Sequence, residues 1–139
     1  MTTLEQIRLI GRGPIVLVDD NDIDTMMLAR CHARSSLRQG FLAFDEGRDF
    51  LDHLYATTGA DIPSIVFFDI NLNGMSGFEV MEEMRSHQVY RSVPVGLFYS
   101  NSDSPADTRR AAELGTVLVL KFLTVNEGVA FLEELAARS

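Results

Sequence analysis

An α/β fold with a parallel sheet is what this 139-residue sequence predicts, on three observations. Short apolar runs rich in Val, Ile and Phe, such as Ile15-Val-Leu-Val18 and Ile65-Val-Phe-Phe68, do not alternate with polar residues. Such runs read as strands covered on both faces. Stretches with helical spacing fall between them along the whole chain, the pattern of a parallel sheet with crossover helices. Acids then collect where two of the runs end: Asp19, Asp20, Asn21, Asp22 and Asp24 after the first, and Asp69 after the third.

The elements follow in order. The first strand is expected over residues 14–19. Ile23, Met26, Met27 and Arg30 then recur at helical spacing, predicting a helix over 22–34. A second strand covers 41–44, and Phe50, Leu51, Leu54 and Tyr55 mark the next helix. The third strand covers 65–69 and leads into the loop Asn73-Gly74-Met75. Ser76 with Glu79 three residues on forms a capping box, which starts a helix running to about Gln88. The fourth strand is expected over 93–99. Ser104-Pro105-Ala106-Asp107 supplies an N-cap, a proline at the first helical position and an acid in the first turn. That helix should stop at Gly115. The fifth strand covers 117–120, and Thr124 with Glu127 opens the last helix, which carries Val129, Leu132 and Leu135.

Five βα units with right-handed crossovers and helices on both faces leave few topologies. The flavodoxin-like order 2-1-3-4-5, a doubly wound (βα)5 sheet, sets strands one and three side by side with the switch point between them. Asp19, Asp20 and Asp69 then converge on one crevice at the carboxyl ends of the strands, where ligands bind in open sheets of this kind. Carboxylates gathered there repel one another unless a cation or protons intervene. An oxygen-only set suits a hard divalent ion such as magnesium.

Composition narrows the classes further. The length fits one domain, residues 14–139, preceded by an N-terminal extension, residues 1–13. A hydrophobic fraction of 46% and a charged fraction of 23% are those of a globular protein. No apolar run approaches a membrane span, and the first 13 residues hold no secretory h-region. Cys31 is the sole cysteine, so no intrachain disulfide forms, and a reducing cytoplasm is the expected location. A net charge of −8 argues against nucleic acid as a partner, since phosphate backbones require a basic footprint. His32, His53 and His87 show no ligand spacing, Cys31 reads as core, and the glycines form no phosphate-binding fingerprint. Asp22 and Asp24 read as helix-start charges at the positive end of the dipole.

The residues now resemble a known family, the receiver domains of two-component response regulators. Val18-Asp-Asp-Asn21 is similar to the acidic pair after that family's first strand. Phe68-Asp69-Ile-Asn71, followed by Gly77-Phe-Glu79, resembles its phosphoacceptor loop, and Lys121 stands where the family has its lysine. The resemblance spans about 14–137. It implies that Asp69 accepts a phosphoryl group from a histidine kinase or a histidine phosphotransfer protein. It also implies that Asp20, Asp69 and the backbone carbonyl of Asn71 bind Mg2+ directly, with Asp19 acting through water. Phosphoryl transfer depends chiefly on positioning and charge neutralisation, which a divalent ion and the Lys121 ammonium supply together.

Three departures mark the chain as an atypical member. Tyr99 stands where receivers carry a switch Thr or Ser, with Ser100 next to it as the candidate substitute. The fifth strand has Val117, Leu118, Val119 and Leu120 and no switch aromatic. Phe122 follows Lys121 where a cis-proline is usual. A cis bond before a non-proline residue costs about 3 kcal/mol, so a trans bond is expected there. The leading reading is a stand-alone receiver that signals by protein contact. Ser100-Asn-Ser-Asp103 is similar to regulators accompanying phytochrome-type kinases. Leu118, Leu120, Phe122 and Leu123 offer apolar area for a symmetric homodimer. A phosphorylation-independent docking module is the alternative. An aspartate-nucleophile hydrolase is disfavoured, because Asn71 occupies the position of its second acid.

Overall fold

The computed structural model describes residues 7–99 and 105–138. β1 (Ile15–Val18), β2 (Phe41–Phe44), β3 (Ile65–Asp69), β4 (Val95–Tyr99) and β5 (Val117–Leu120) alternate with α1 (Asp22–Arg34), α2 (Gly47–Tyr55), α3 (Gly77–Arg85), α4 (Pro105–Glu113) and α5 (Val125–Ala137). The strands are all parallel and run in the order 2-1-3-4-5. This is the flavodoxin-like arrangement that the βα alternation predicts.

Side-chain parity divides the core into two layers, because successive residues of a strand point to opposite faces. Ile15, Leu17, Ile65, Phe67, Phe98, Val117 and Val119 face α1 and α5, where Leu28, Cys31, Leu132 and Leu135 meet them. Ile7 and Leu9 of the N-terminal segment are buried in that same cluster. Val16, Val18, Val66, Phe68, Val95 and Leu97 face α2, α3 and α4, packing on Phe50, Leu51, Leu54, Phe78, Met81, Met84 and Ala111.

Two boundaries differ from expectation, each for a local reason. The third helix ends at Arg85 rather than near Gln88. The Arg85 guanidinium folds over the following turn and donates to the carbonyls of Tyr90, Arg91 and Val93 at 3.2, 2.7 and 2.6 Å. That turn contains a short 3₁₀ segment, Gln88–Tyr90. β4 accordingly starts at Val95, after Pro94, since Val93 N–H is committed to the Tyr90 carbonyl at 3.2 Å. The Ser76–Glu79 capping box is formed reciprocally, and Thr124 accepts from Glu127 N–H at 3.1 Å. α4 gives way at Gly115, whose φ of 71° lies in the left-handed region glycine favours. The expected cap at Ser104 lies outside the described residues. No cis peptide occurs among the described residues, which matches the trans bond expected after Lys121.

Candidate functional site

The parity that sorts the core also selects which charged side chains meet. Asp19 and Asp69 each follow an apolar run at the level where β1 and β3 pair, Val18 opposite Phe68. Asp19, Asp69 and Lys121 continue, past β1, in β3 and past β5, the alternate-residue series of those strands that faces α1 and α5. Lys121 Nζ lies 3.0 Å from Asp69 Oδ2 and 3.4 Å from Asp19 Oδ2. The Asp19 and Asp69 side chains are only 1% and 8% exposed. Their backbone surroundings hold them: Asn21 N–H donates to Asp19 Oδ1 at 2.9 Å, and Asn71 N–H donates to Asp69 Oδ1 at 3.0 Å.

Asp20 points elsewhere. Its Oδ2 accepts from Asn73 N–H at 3.0 Å, tying the end of β1 to the loop after β3. The same loop depends on a close approach at Gly77. A Cβ there would lie 2.4 Å from the Asp69 carbonyl oxygen, and Gly77 N–H donates to Ile70 O at 3.0 Å. The first residue of α3 must therefore be glycine for the loop after β3 to keep this path.

Asp24 joins the group as well. It is a first-turn acid of α1, as the sequence suggests, and its Oδ2 also lies 2.5 Å from Lys121 Nζ. Asn21 explains the aim: as N-cap, its Oδ1 accepts from Ile23 N–H at 2.9 Å and Asp24 N–H at 3.1 Å. Sequence reasoning missed this second role. The available signal was position: the third residue after an N-cap at the end of β1 points back over that strand end.

Three carboxylates thus surround one ammonium, and uncompensated negative charge remains. Burial, the largest cause, pushes the Asp19 carboxyl up to about 6; the Asn21 N–H opposes this and the Asp69 charge reinforces it. Burial pulls the Lys121 ammonium down, but its hydrogen bonds to Asp24 and Asp69, with the charge of Asp19, outweigh that and hold it above the usual lysine range. Oxygens of Asp19, Asp24 and Asp69 lie within 4.8 Å of one another, a donor set that fits a hard divalent cation. A cavity of about 20 Å³ beside them, lined by Asp19, Asp24, Lys121, Phe98 and Phe122, has room for water and not for an organic substrate.

The remaining sequence candidates lie around this group. Tyr99 ends β4 with its ring packed on the α2/α3/α4 layer, away from the face that carries Asp69 and Lys121, while its carbonyl accepts from Lys121 N–H at 2.9 Å. Ser100 lies outside the described residues. Phe122 packs between Phe98 and Phe131, at centroid distances of 5.6 and 5.1 Å. His32, His53 and His87 stand apart from the site, each against an aromatic ring. Cys31 is fully buried beneath α5.

The family model of the response regulator receiver domain matches residues 15–134, nearly the whole chain. This chain belongs to the response regulator receiver family. The receiver is 29% identical over 99 residues to the probable methanogenesis regulatory protein FilR2 of Methanothrix harundinacea, a match covering 70% of this chain and 63% of FilR2. It is 26% identical over 108 residues to the chemotaxis protein CheV2 of Helicobacter pylori, covering 78% and 33%. The chain therefore spans less than two thirds of the length of these curated relatives. The solved structure of the bacteriophytochrome response regulator AtBRR superposes with a TM-score of 0.71 at 27% identity, covering 91% of the receiver and 94% of that chain. No helix among the described residues is long and apolar enough to cross a membrane.

Proposed function

We propose that this receiver accepts a phosphoryl group on Asp69 from a sensor histidine kinase, or from a histidine phosphotransfer protein, in a magnesium-dependent phosphorelay. The observation that carries this reading is the pairing of a nearly buried Asp69 carboxylate with the Lys121 ammonium at 3.0 Å, at the carboxyl end of β3. An Asp69 oxygen forms the bond to phosphorus as the phosphorus–nitrogen bond of the donor histidine breaks. Lys121 and the Asn71 N–H hold that carboxylate oriented. By the receiver resemblance Asp20, Asp69 and the Asn71 carbonyl would hold magnesium, with Asp19 acting through water; Asp20 would exchange its Asn73 N–H partner for the ion, and Asp24 would stay with Lys121. When bound, the ion neutralises charge on the transferring oxygens. The likeness to AtBRR supports a phytochrome-type kinase as the donor.

Output is a protein contact made in the cytoplasm. Leu120 and Leu123, 52% and 82% exposed, supply apolar area for a two-fold dimer, which light scattering tests. The competing reading, a docking module with no phosphorylation cycle, draws on Tyr99, whose bulk does not suit the small inward shift of a Thr or Ser. Intact-mass measurement after incubation with acetyl phosphate and magnesium separates the two. A phosphoreceiver gains one phosphoryl mass, Asp69→Asn gains none, and magnesium raises the melting temperature of the wild type but less that of Asp20→Ala. A wild type that gains no mass is the docking module.

A further inference from the structure

Asp24 is not among the acids the receiver resemblance assigns to acceptance, yet it makes the closest approach to the pocket lysine. Lys121 carries three N–H donors; it donates to Asp24 at 2.5 Å and Asp69 at 3.0 Å and lies in ion-pair contact with Asp19 at 3.4 Å. The ammonium is thus shared among three carboxylates before any phosphoryl group arrives. A phosphoryl group on Asp69 brings further oxygens and negative charge to the same ammonium. Asp19 and Asp69 are fixed by the strand ends and by the Asn21 and Asn71 amides. Asp24 comes instead from a helix, its side chain 32% exposed, and the Asn21 cap aims it at Lys121.

We infer that Asp24 is a rate-setting positioning residue for phosphoryl acceptance: its carboxylate competes with the incoming phosphoryl group for Lys121 and repels it. The inference rests on the phosphoacceptor reading above and deepens it. Geometry gives its direction. Lys121 already touches Asp69 while it holds Asp24, so Asp24 is not required to bring the lysine into reach. What Asp24 adds is negative charge at the open side of the pocket, beside the point where an anionic donor must dock, and its side chain is exposed enough for salt to screen that charge. The same contact fastens α1 to the residue that opens the β5–α5 loop, so release of Asp24 by a phosphorylated Asp69 frees the start of α1 from Lys121.

The test is a time course of intact mass with acetyl phosphate and magnesium for wild type, Asp24→Asn and Asp24→Glu, each at low and high ionic strength. Asp24→Asn keeps the shape and removes the charge. It is expected to phosphorylate faster, on the order of tenfold, at low salt, with the gap narrowing at high salt. Asp24→Glu keeps the charge and is expected to restore a rate near that of the wild type. Thermal melts verify that all three chains are folded. A slower Asp24→Asn, an unchanged rate, a salt-independent difference, or an Asp24→Glu as fast as Asp24→Asn overturns the inference and leaves phosphoacceptance standing. No mass gain in any chain overturns both.

Discussion

The two layers of helices that cover the sheet do different work. The α2/α3/α4 layer is the larger apolar cluster, and it holds Phe50, Leu51, Leu54, Met81 and Met84 with no exposed surface. Its polar contacts are peripheral: Arg48 and Tyr55 meet Glu83 at 3.0 and 2.7 Å, and Arg110 pairs with Glu82 and lies 4.6 Å over the Phe78 ring. The α1/α5 layer is apolar at its centre, but at the carboxyl ends of the strands it replaces hydrocarbon with Asp19, Asp24, Asp69 and Lys121. Burial that stabilises in one layer therefore works against charged groups in the other. Buried carboxylates are retained there at a cost, and the opposite layer supplies packing that offsets it.

That division implies a graded set of outcomes. The largest should come from Phe50→Ala in the packing layer. A fully buried aromatic cut to a methyl costs about 3–5 kcal/mol, read as a drop in the urea midpoint at an unchanged slope. Phosphorylation of the molecules that remain folded should be little altered. If the rate falls as far as the stability does, the two layers are not separable.

A smaller effect of opposite sign is expected from Asp19→Asn. The folded carboxyl sits at about 6, above its ordinary value of 3.8, so the native state binds the proton more tightly than the unfolded chain. The stability tied to that proton is fully present below about pH 4 and is lost as pH rises through 6. Metal-free wild type should accordingly melt lower at pH 7 than at pH 5 from this group. Asp19→Asn should remove that part of the slope and raise the metal-free melting temperature at pH 7 by about 5 °C. It should also weaken magnesium binding. Calorimetry with a chelator present checks the first outcome, and a metal titration checks the second. An Asp19→Asn variant that melts lower than the wild type at pH 7 would place the cost of charge burial elsewhere.

The smallest effect is expected at Arg48. Its partners are Asp52 at 3.5 Å and Glu83 at 3.0 Å, with the arginine side chain 51% exposed. Solvent and salt screen such pairs, so Arg48→Ala should leave the urea midpoint unchanged within error. A measurable loss would mean that the Tyr55–Glu83 bond beside it depends on the guanidinium.

Most of the architecture was legible from local pattern. The apolar runs mark four of the five strands closely, and β2, though its residues are half-exposed at the sheet edge, still reads as Phe-Leu-Ala-Phe. Caps at Ser76 and Thr124 are short-range devices in which a side chain meets a backbone amide three residues away. They can be read from spacing alone. Arg85 is the counterexample. Nothing in the run Met84-Arg85-Ser86 announces that this guanidinium will turn back onto three carbonyls and end the helix, because those acceptors exist only once the 3₁₀ turn has formed.

At the site the same boundary runs between residues on one sheet. The amino-acid order was sufficient to place Asp19 and Asp69 together: parallel pairing of two apolar runs brings their ends level, and a period of two sends both side chains to one face. It was sufficient, too, to bring Lys121 near them, one residue past β5. Folding alone settled how that lysine divides its protons. Asp20, adjacent to Asp19 in the chain, turns to Asn73, whereas Asp24, five residues on and a full helical turn away, closes to 2.5 Å. The contact between Asp24 and Lys121 spans 97 positions and depends on α1 packing against the sheet between them. No local spacing encodes that distance. It follows from the packing of Leu28 and Cys31 against the sheet and α5, which fixes how α1 is rotated and therefore which of its first-turn acids looks inward.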